Sequence, residues 1–393
     1  MIDLTKVRAE TPACEEVLHF NNAGAALMPD PVVVRQLAHI HREAEIGGYE
    51  AAREAAEEID GVYRSIARLL NAAPEEIALM ENATAAWNAA FFAFDFQPGD
   101  RLLTGEAEYA SNYLNYLKLA RSKGLVVEAI PSTSEGELSI PALEAACAKP
   151  GVKLIAVTHV PTNGGLVNPA EEIGRVARSH GIPFLLDACQ SAGQINLDVE
   201  KLGCDLLSVT GRKYLRGPRG SGFLYVRRGF LDQVEPPVLD LRAAKWVTPD
   251  RYELRPDAKR FENWEYNYAA VLGLGVAVDY ALAIGLPEIE ARVCTLATGL
   301  RERLAALPGV TVQDIGSRRC GICVFQAEGI EASDIRERLS AQGINTSVTD
   351  PNSTLLDATK RRLPDLLRAS VHYYNSEDEL DRFAAAVKEM VTA

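Results

Sequence analysis

DLLSVTGRKYLRGPRGSGFLYV, residues 205–226, holds two short apolar runs separated by a turn rich in Gly and Arg, with a single Lys at 213. DLLSVT (205–210) and GFLYV (222–226) are apolar at nearly every position, the pattern of strands buried on both faces. Upstream, KLIAVT (153–158) and IPFLLD (182–187) have the same character. Between them PAEEIGRVARSHG (169–181) reads as a helix, with Pro in its first turn and Gly181 at its end. Short buried strands joined by helices predict an α/β fold with a mostly parallel central sheet flanked by helices.

Further along, YNYAAVLGLGVAVDYALAIG (266–285) reads as a long, mostly buried helix leaving that unit. A helix through 291–307 leads to strand-like VTVQD (310–314) and GICVFQ (321–326), then to helix ASDIRERLSAQG (332–343). Strands INTSVT (344–349) and LLRASVHYY (366–374) and a closing helix complete this part. Ser376 and Glu379 form a capping box at the start of the closing helix. The expected organisation is a large domain over 20–285 and a smaller α+β domain built from 1–19 and 286–393.

Over 393 residues, 41 basic against 54 acidic residues give a net charge of −13, which argues against a nucleic-acid or anionic-membrane surface. The first residues lack a signal-peptide layout and no apolar run reaches transmembrane length, so the expected location is the cytoplasm. Seven scattered cysteines are no disulfide framework. The lone CGIC at Cys320 and Cys323 reads as structural, and His39 and His41, two apart on a helix, point to different sides. No metal site is expected.

Three features carry chemistry. Asp187 ends a very apolar strand, where an acid is costly unless paired. Lys213 lies in a turn at the carboxyl edge of the sheet, where open α/β sheets bind ligands, and Arg212 beside it would help to lower its pKa. Asn82-Ala83-Thr84 opens a helix-like run whose free N–H groups, with the Thr84 hydroxyl, suit a phosphate; Thr210 and Arg212 would close on it from the other side. Singly these are a solvated carboxylate, a surface lysine and an N-cap. Together they read as a pyridoxal phosphate (PLP) site, with the cofactor carried as an imine on Lys213 and its pyridine nitrogen paired with Asp187. GLGVAV at Gly273 lacks the third glycine of a dinucleotide loop, lies within a helix and reads as packing.

The ordered run FNNAGAALMP, ENATAAWN, EYASN, THVPTNGGLVNP, LLDACQSAGQ, SVTGRKY, GSGFLYV, RFENWE and LLRASVHYYN resembles class V aminotransferases of the cysteine desulfurase and selenocysteine lyase type. The resemblance implies fold-type I architecture, a homodimer and an amino-acid substrate. It also implies roles: Lys213 binds the cofactor, Asp187 holds the pyridine nitrogen and Gln190 the ring hydroxyl. Thr84, Thr210 and Arg212 hold phosphate, and Arg368 clamps the substrate carboxylate.

Departures from the family pattern matter more. Tyr109 stands where a His usually stacks on the ring, and Asn163 rather than Thr162 is the expected asparagine near the ring. FENWE places Glu265 where a neighbouring subunit usually gives a phosphate-binding Thr, which a carboxylate would repel; Trp264 is a candidate for lining the substrate pocket. Desulfurases need a mobile cysteine in the loop that here reads INTSVTDPNSTLLDATKRR, and no cysteine follows Cys323. The expected activity is therefore a C–S lyase giving pyruvate, ammonia and a sulfur product. An aminotransferase or epimerase of the same fold is the alternative, and a desulfurase or a non-enzymatic binding protein ranks below.

Overall fold

The protein's structure, a computed structural model, describes residues 2–392. The central sheet has strands β1 (Ile77–Met80), β2 (Arg101–Gly105), β3 (Val126–Ile130), β4 (Val152–Thr158), β5 (Phe184–Asp187), β6 (Leu206–Thr210) and β7 (Gly222–Val226). Their spatial order is β1-β7-β6-β5-β4-β2-β3, and every neighbouring pair is parallel except the two made by β7. The inner strands are largely apolar because both faces are covered, whereas the edge strand β3 carries Glu128 and is only partly buried. Leu154, Ala156, Leu185, Leu206 and Leu224 enter one core, while Ile155, Val157, Phe184, Leu186 and Leu207 alternate into the other. The doubly covered, mostly parallel sheet expected from residues 153–226 is what forms.

Six helices matter for the site: α1 (Asp30–Ile46), α2 (Ala56–Leu70), α3 (Ala83–Phe91), α4 (Ala110–Lys123), α5 (Ala170–His180) and α6 (Tyr268–Ile284). α6 packs against α1 and α2. A Cβ on Gly273 would lie 2.7 Å from Gln36 Cγ, and one on Gly275 2.7 Å from Val62 Cγ2, so the glycines of GLGVAV serve close helix packing. Beyond α6 come α7 (Leu286–Ala305) and a four-stranded antiparallel sheet. Its strands β8 (Val310–Val312), β9 (Ile322–Ala327), β10 (Ser347–Val348) and β11 (Leu367–Ser370) lie in the order β8-β9-β11-β10. The closing helix α8 (Glu377–Thr392) begins with the reciprocal Ser376–Glu379 box, both bonds 3.2 Å.

The single strand expected over 344–349 is two pieces, because its flanks find different edges. Ile344–Asn345 pairs in parallel with Leu18–His19, whereas Ser347–Val348 joins β11. An Arg8–Glu379 ion pair of 2.7 Å fastens the amino-terminal segment to α8. Cys320 and Cys323 are both buried, and among the described residues no His/Cys/Asp/Glu group could hold a metal ion. No single described helix is long and apolar enough to cross a membrane.

One contact sets the relation between the two turns that flank the site. Gly193, at φ +92°, ends the DACQSAG turn, and a Cβ there would lie 2.4 Å from the carbonyl carbon and oxygen of Tyr214, the residue after Lys213. Gly193→Ala should destabilise the fold by about 1–3 kcal/mol, the range for overpacking. A urea midpoint within error of wild type would show that the two turns are not in tight register.

Candidate active site

The carboxyl ends of β4, β5 and β6 place Thr158, Asp187 and Thr210 along one edge of the sheet. They open onto a cleft of about 470 Å³, which is also lined by Ala83, Thr84, Tyr109, Gln190, Arg212 and Lys213. Side chains separated by more than a hundred positions in sequence meet there because parallel strands all deliver their carboxyl ends to the same edge.

Asp187 is 5% exposed. Its Oδ1 accepts from the Cys189 backbone N–H at 2.9 Å and its Oδ2 from Asn112 Nδ2 at 2.9 Å. Burial raises its pKa, against those two hydrogen bonds and the charge of Lys213. Lys213 is also buried, and burial lowers its pKa, with Arg212 and Arg368 acting in the same direction against Cys189 and Asp187. Among the described residues no carboxylate lies within ion-pair distance of Lys213. A buried amine without a carboxylate partner and with its pKa lowered by burial suits covalent attachment to an aldehyde.

The helix start is built as expected. Asn82 caps α3 by accepting from Ala85 N–H at 2.9 Å, which leaves the earliest N–H groups of the turn for a ligand. Gly222 permits this, since a Cβ there would lie 3.1 Å from the Asn82 backbone. Thr84 is exposed at the mouth and Thr210 buried at the back, while Arg212 donates to the Gly24 carbonyl.

Gln190 donates to Ala23 O at 3.1 Å and to Thr162 Oγ1 at 3.4 Å, and its buried Oε1 has no partner. Arg368 is 8% exposed; it donates to Thr162 O and Oγ1, both at 3.0 Å, while its buried Nε is left without a partner. Arg242, by contrast, is engaged with Glu262 at 3.0 Å. A buried acid, a buried amine, a helix start, and orphaned polar atoms on Gln190 and Arg368 fit PLP and an amino-acid carboxylate.

Asn163 does not fulfil its expected place. Its amide donates to Asp350 O at 2.7 Å and Thr354 Oγ1 at 3.2 Å, away from the cleft, and Thr162 is the residue that lines it. Thr162 and Asn163 are consecutive residues of a turn, and the turn sends the Thr162 side chain to the cleft and the Asn163 amide to the 350–354 segment. Glu265 lines a separate recess of about 210 Å³ that shares Glu81 and Gly220 with the cleft, and Trp264 is 54% exposed and lines neither. Asn112 escaped the sequence reading. Its signal was EYASN, in which Glu108 stands just before the helix that opens at Ala110 and Asn112 lies in that helix's first turn.

Reduction of the PLP-loaded protein with borohydride should fix the cofactor on Lys213, and mass spectrometry finding it on another lysine would refute this. Asp187→Ala should lower turnover at least about ten- to a hundredfold, the equivalent of one charged hydrogen bond of about 1.5–3 kcal/mol. Near wild-type turnover would mean the ring lies elsewhere.

The family model "Aminotransferase class-V" matches residues 18–383. A relative from Pyrococcus abyssi named probable cysteine desulfurase is 30% identical, covering 98% of this chain and 97% of its own. The apo structure of the Thermococcus onnurineus cysteine desulfurase superposes with a TM-score of 0.91 at 30% identity, covering 100% of this chain and 98% of that one. The cystine C–S lyase C-DES, at 23% identity and a TM-score of 0.87 over 96% of this chain and 99% of its own, shares the fold. This chain belongs to the class-V aminotransferase family and is a PLP-dependent enzyme of fold type I.

Proposed function

We propose that the enzyme cleaves the C–S bond of a cysteine-derived amino acid by β-elimination, releasing pyruvate, ammonia and a free sulfur product. Bound in the cleft, PLP supplies an electron sink for the charge that develops at Cα. Lys213 would hold the cofactor through its amine and would take the substrate Cα proton. Asp187 would pair with the ring nitrogen, and Gln190 Oε1 would accept from the ring hydroxyl. Ala83, Thr84, Thr210 and Arg212 would hold the phosphate, and Tyr109 would contact the ring. Arg368 clamps the substrate carboxylate; it is buried, free of any described carboxylate partner, and near Arg212.

The observation that carries the reaction type is the 344–362 segment. It has no cysteine, and it is fastened down: Asp350 and Thr354 accept from Asn163, and Lys360 meets Glu106 at 2.7 Å. Its helix Leu355–Arg361 leaves no mobile thiol to aim at a substrate sulfur. Elimination needs none. It requires only a deprotonated Cα and a stable leaving anion.

A desulfurase is the second reading, favoured by the names of the relatives at 30% identity and by Cys189, whose thiol lines the cleft. Burial raises the Cys189 pKa, which opposes thiolate chemistry.

The homodimer is part of the proposal. The hairpin Ala244–Thr248/Arg251–Leu254 stands as a separate two-stranded sheet, and Trp246 is 73% and Leu241 77% exposed beside it. An isolated hairpin is marginal in water, and a second copy would cover its apolar side chains.

With an S-substituted cysteine and no added 2-oxo acid, a coupled dehydrogenase should detect pyruvate. Alanine with a protein persulfide would establish the desulfurase instead, and turnover only with added 2-oxo acid an aminotransferase. Arg368→Lys should raise KM about ten- to a hundredfold, since an ammonium cannot make the paired contact to a carboxylate worth about 1.5–3 kcal/mol. An unchanged KM would move the clamp elsewhere.

A further inference from the structure

Behind the cleft lies a second buried carboxylate that the proposed mechanism does not use. Glu108 is 3% exposed and sits in the turn between β2 and α4. Its Oε2 accepts from the Thr158 backbone N–H at 2.9 Å and from Thr104 Oγ1 at 3.1 Å. Its Oε1 accepts from Asn112 Nδ2 at 2.8 Å and from the Thr158 hydroxyl. The same Asn112 nitrogen donates to Asp187 Oδ2 at 2.9 Å, so one amide joins the two acids. The ionisable groups that bear on Glu108 are Asp187 from β5 and Tyr116 from α4, and no described Lys, Arg or His pairs with it.

We propose that Glu108 is a positioning residue for the cofactor ring: by taking one N–H of Asn112, it makes the amide present its other N–H to Asp187. The amide of Asn112 is nearly symmetric in shape and could face Asp187 with either its oxygen or its nitrogen. Only a fixed acceptor on its other side decides. Glu108 is that acceptor, because each of its oxygens faces a donor: the rigid Thr158 N–H on one side and Asn112 on the other. Facing an N–H, Asp187 stays a carboxylate able to hold a protonated ring nitrogen. Facing an oxygen, it would have to carry the proton itself. Burial pushes the Glu108 pKa up to about 7, against the hydrogen bonds from Thr158 and Asn112, which favour the carboxylate.

Glutamine at 108 is the informative variant. Its NH₂ must oppose one of the two donors, and the backbone N–H of Thr158 cannot turn away. The NH₂ therefore faces Asn112, whose amide flips and presents its oxygen to Asp187. In Glu108→Gln loaded with PLP labelled with ¹⁵N in the ring, the ring-nitrogen NMR signal should move toward the unprotonated position. PLP affinity, read by titration of visible absorbance, should fall about tenfold, one pKa unit's worth of interaction. Asn112→Leu leaves the Glu108 bonds to Thr104 and Thr158 intact; it should move the signal the same way, and it serves should Glu108→Gln fail to fold. The double variant should move it no further than Asn112→Leu alone. A wild-type signal and affinity in Glu108→Gln, a wild-type signal in Asn112→Leu, or an undiminished Glu108→Gln effect in the Asn112→Leu background, would overturn the proposal. It rests on Asp187 meeting the ring nitrogen, and Asp187→Ala tests that separately. An unmoved signal in Asp187→Ala would sink that reading, whereas a shift there without one in Glu108→Gln sinks only the role of Glu108.

Discussion

The Asp187 carboxylate is buried at the end of a strand whose other side chains are all apolar, and the site depends on its being satisfied there. A charge in that position is costly unless hydrogen-bonded, and the fold supplies two donors from different places. One is local: the chain turns immediately after β5, so the Cys189 N–H points back at the acid. The other is remote, Asn112 in the first turn of α4, 75 positions earlier in sequence. Two donors leave the carboxylate acceptor capacity that faces the cleft.

Charge elsewhere in the site is arranged in the opposite sense. The protein as a whole carries −13, yet Lys213 and Arg212 line one cleft, Arg368 lies near both, and none of the three has a described carboxylate partner. Arginines committed to structure are treated differently: Arg242 and Arg301 are paired with Glu262 and Asp314. Leaving cations unpaired inside a protein is unfavourable in the empty state. A ligand bearing a phosphate and a carboxylate recovers that cost on binding, which is how a cleft in an acidic protein can select an anionic cofactor and substrate.

The 344–362 segment joins the two sheets' surroundings physically. One end pairs with Leu18–His19, the middle joins β11, and the far end is fixed to the large sheet's edge through Glu106. Asn163, expected in the cleft, is one of the side chains that fastens it. Its amide thus ties the turn after β4 to this segment.

The sequence by itself determined the sheet, since strands covered on both faces must be largely apolar, and the short runs within 153–226 that form β4 to β7 are. The ordered motifs also made the family recognisable, and they set Asp187 at the end of an apolar strand and Lys213 in the turn that follows the next strand. The sequence could not determine the direction of side chains on irregular segments. Thr162 and Asn163 differ by one position and face opposite ways. Nor could it reveal that Asn112 and Glu108 stand behind Asp187, since hydrogen bonds between residues far apart in the chain leave no periodicity to read. Those choices belong to tertiary structure, where packing brings distant elements together and a buried polar atom takes whichever partner lies within about 3 Å.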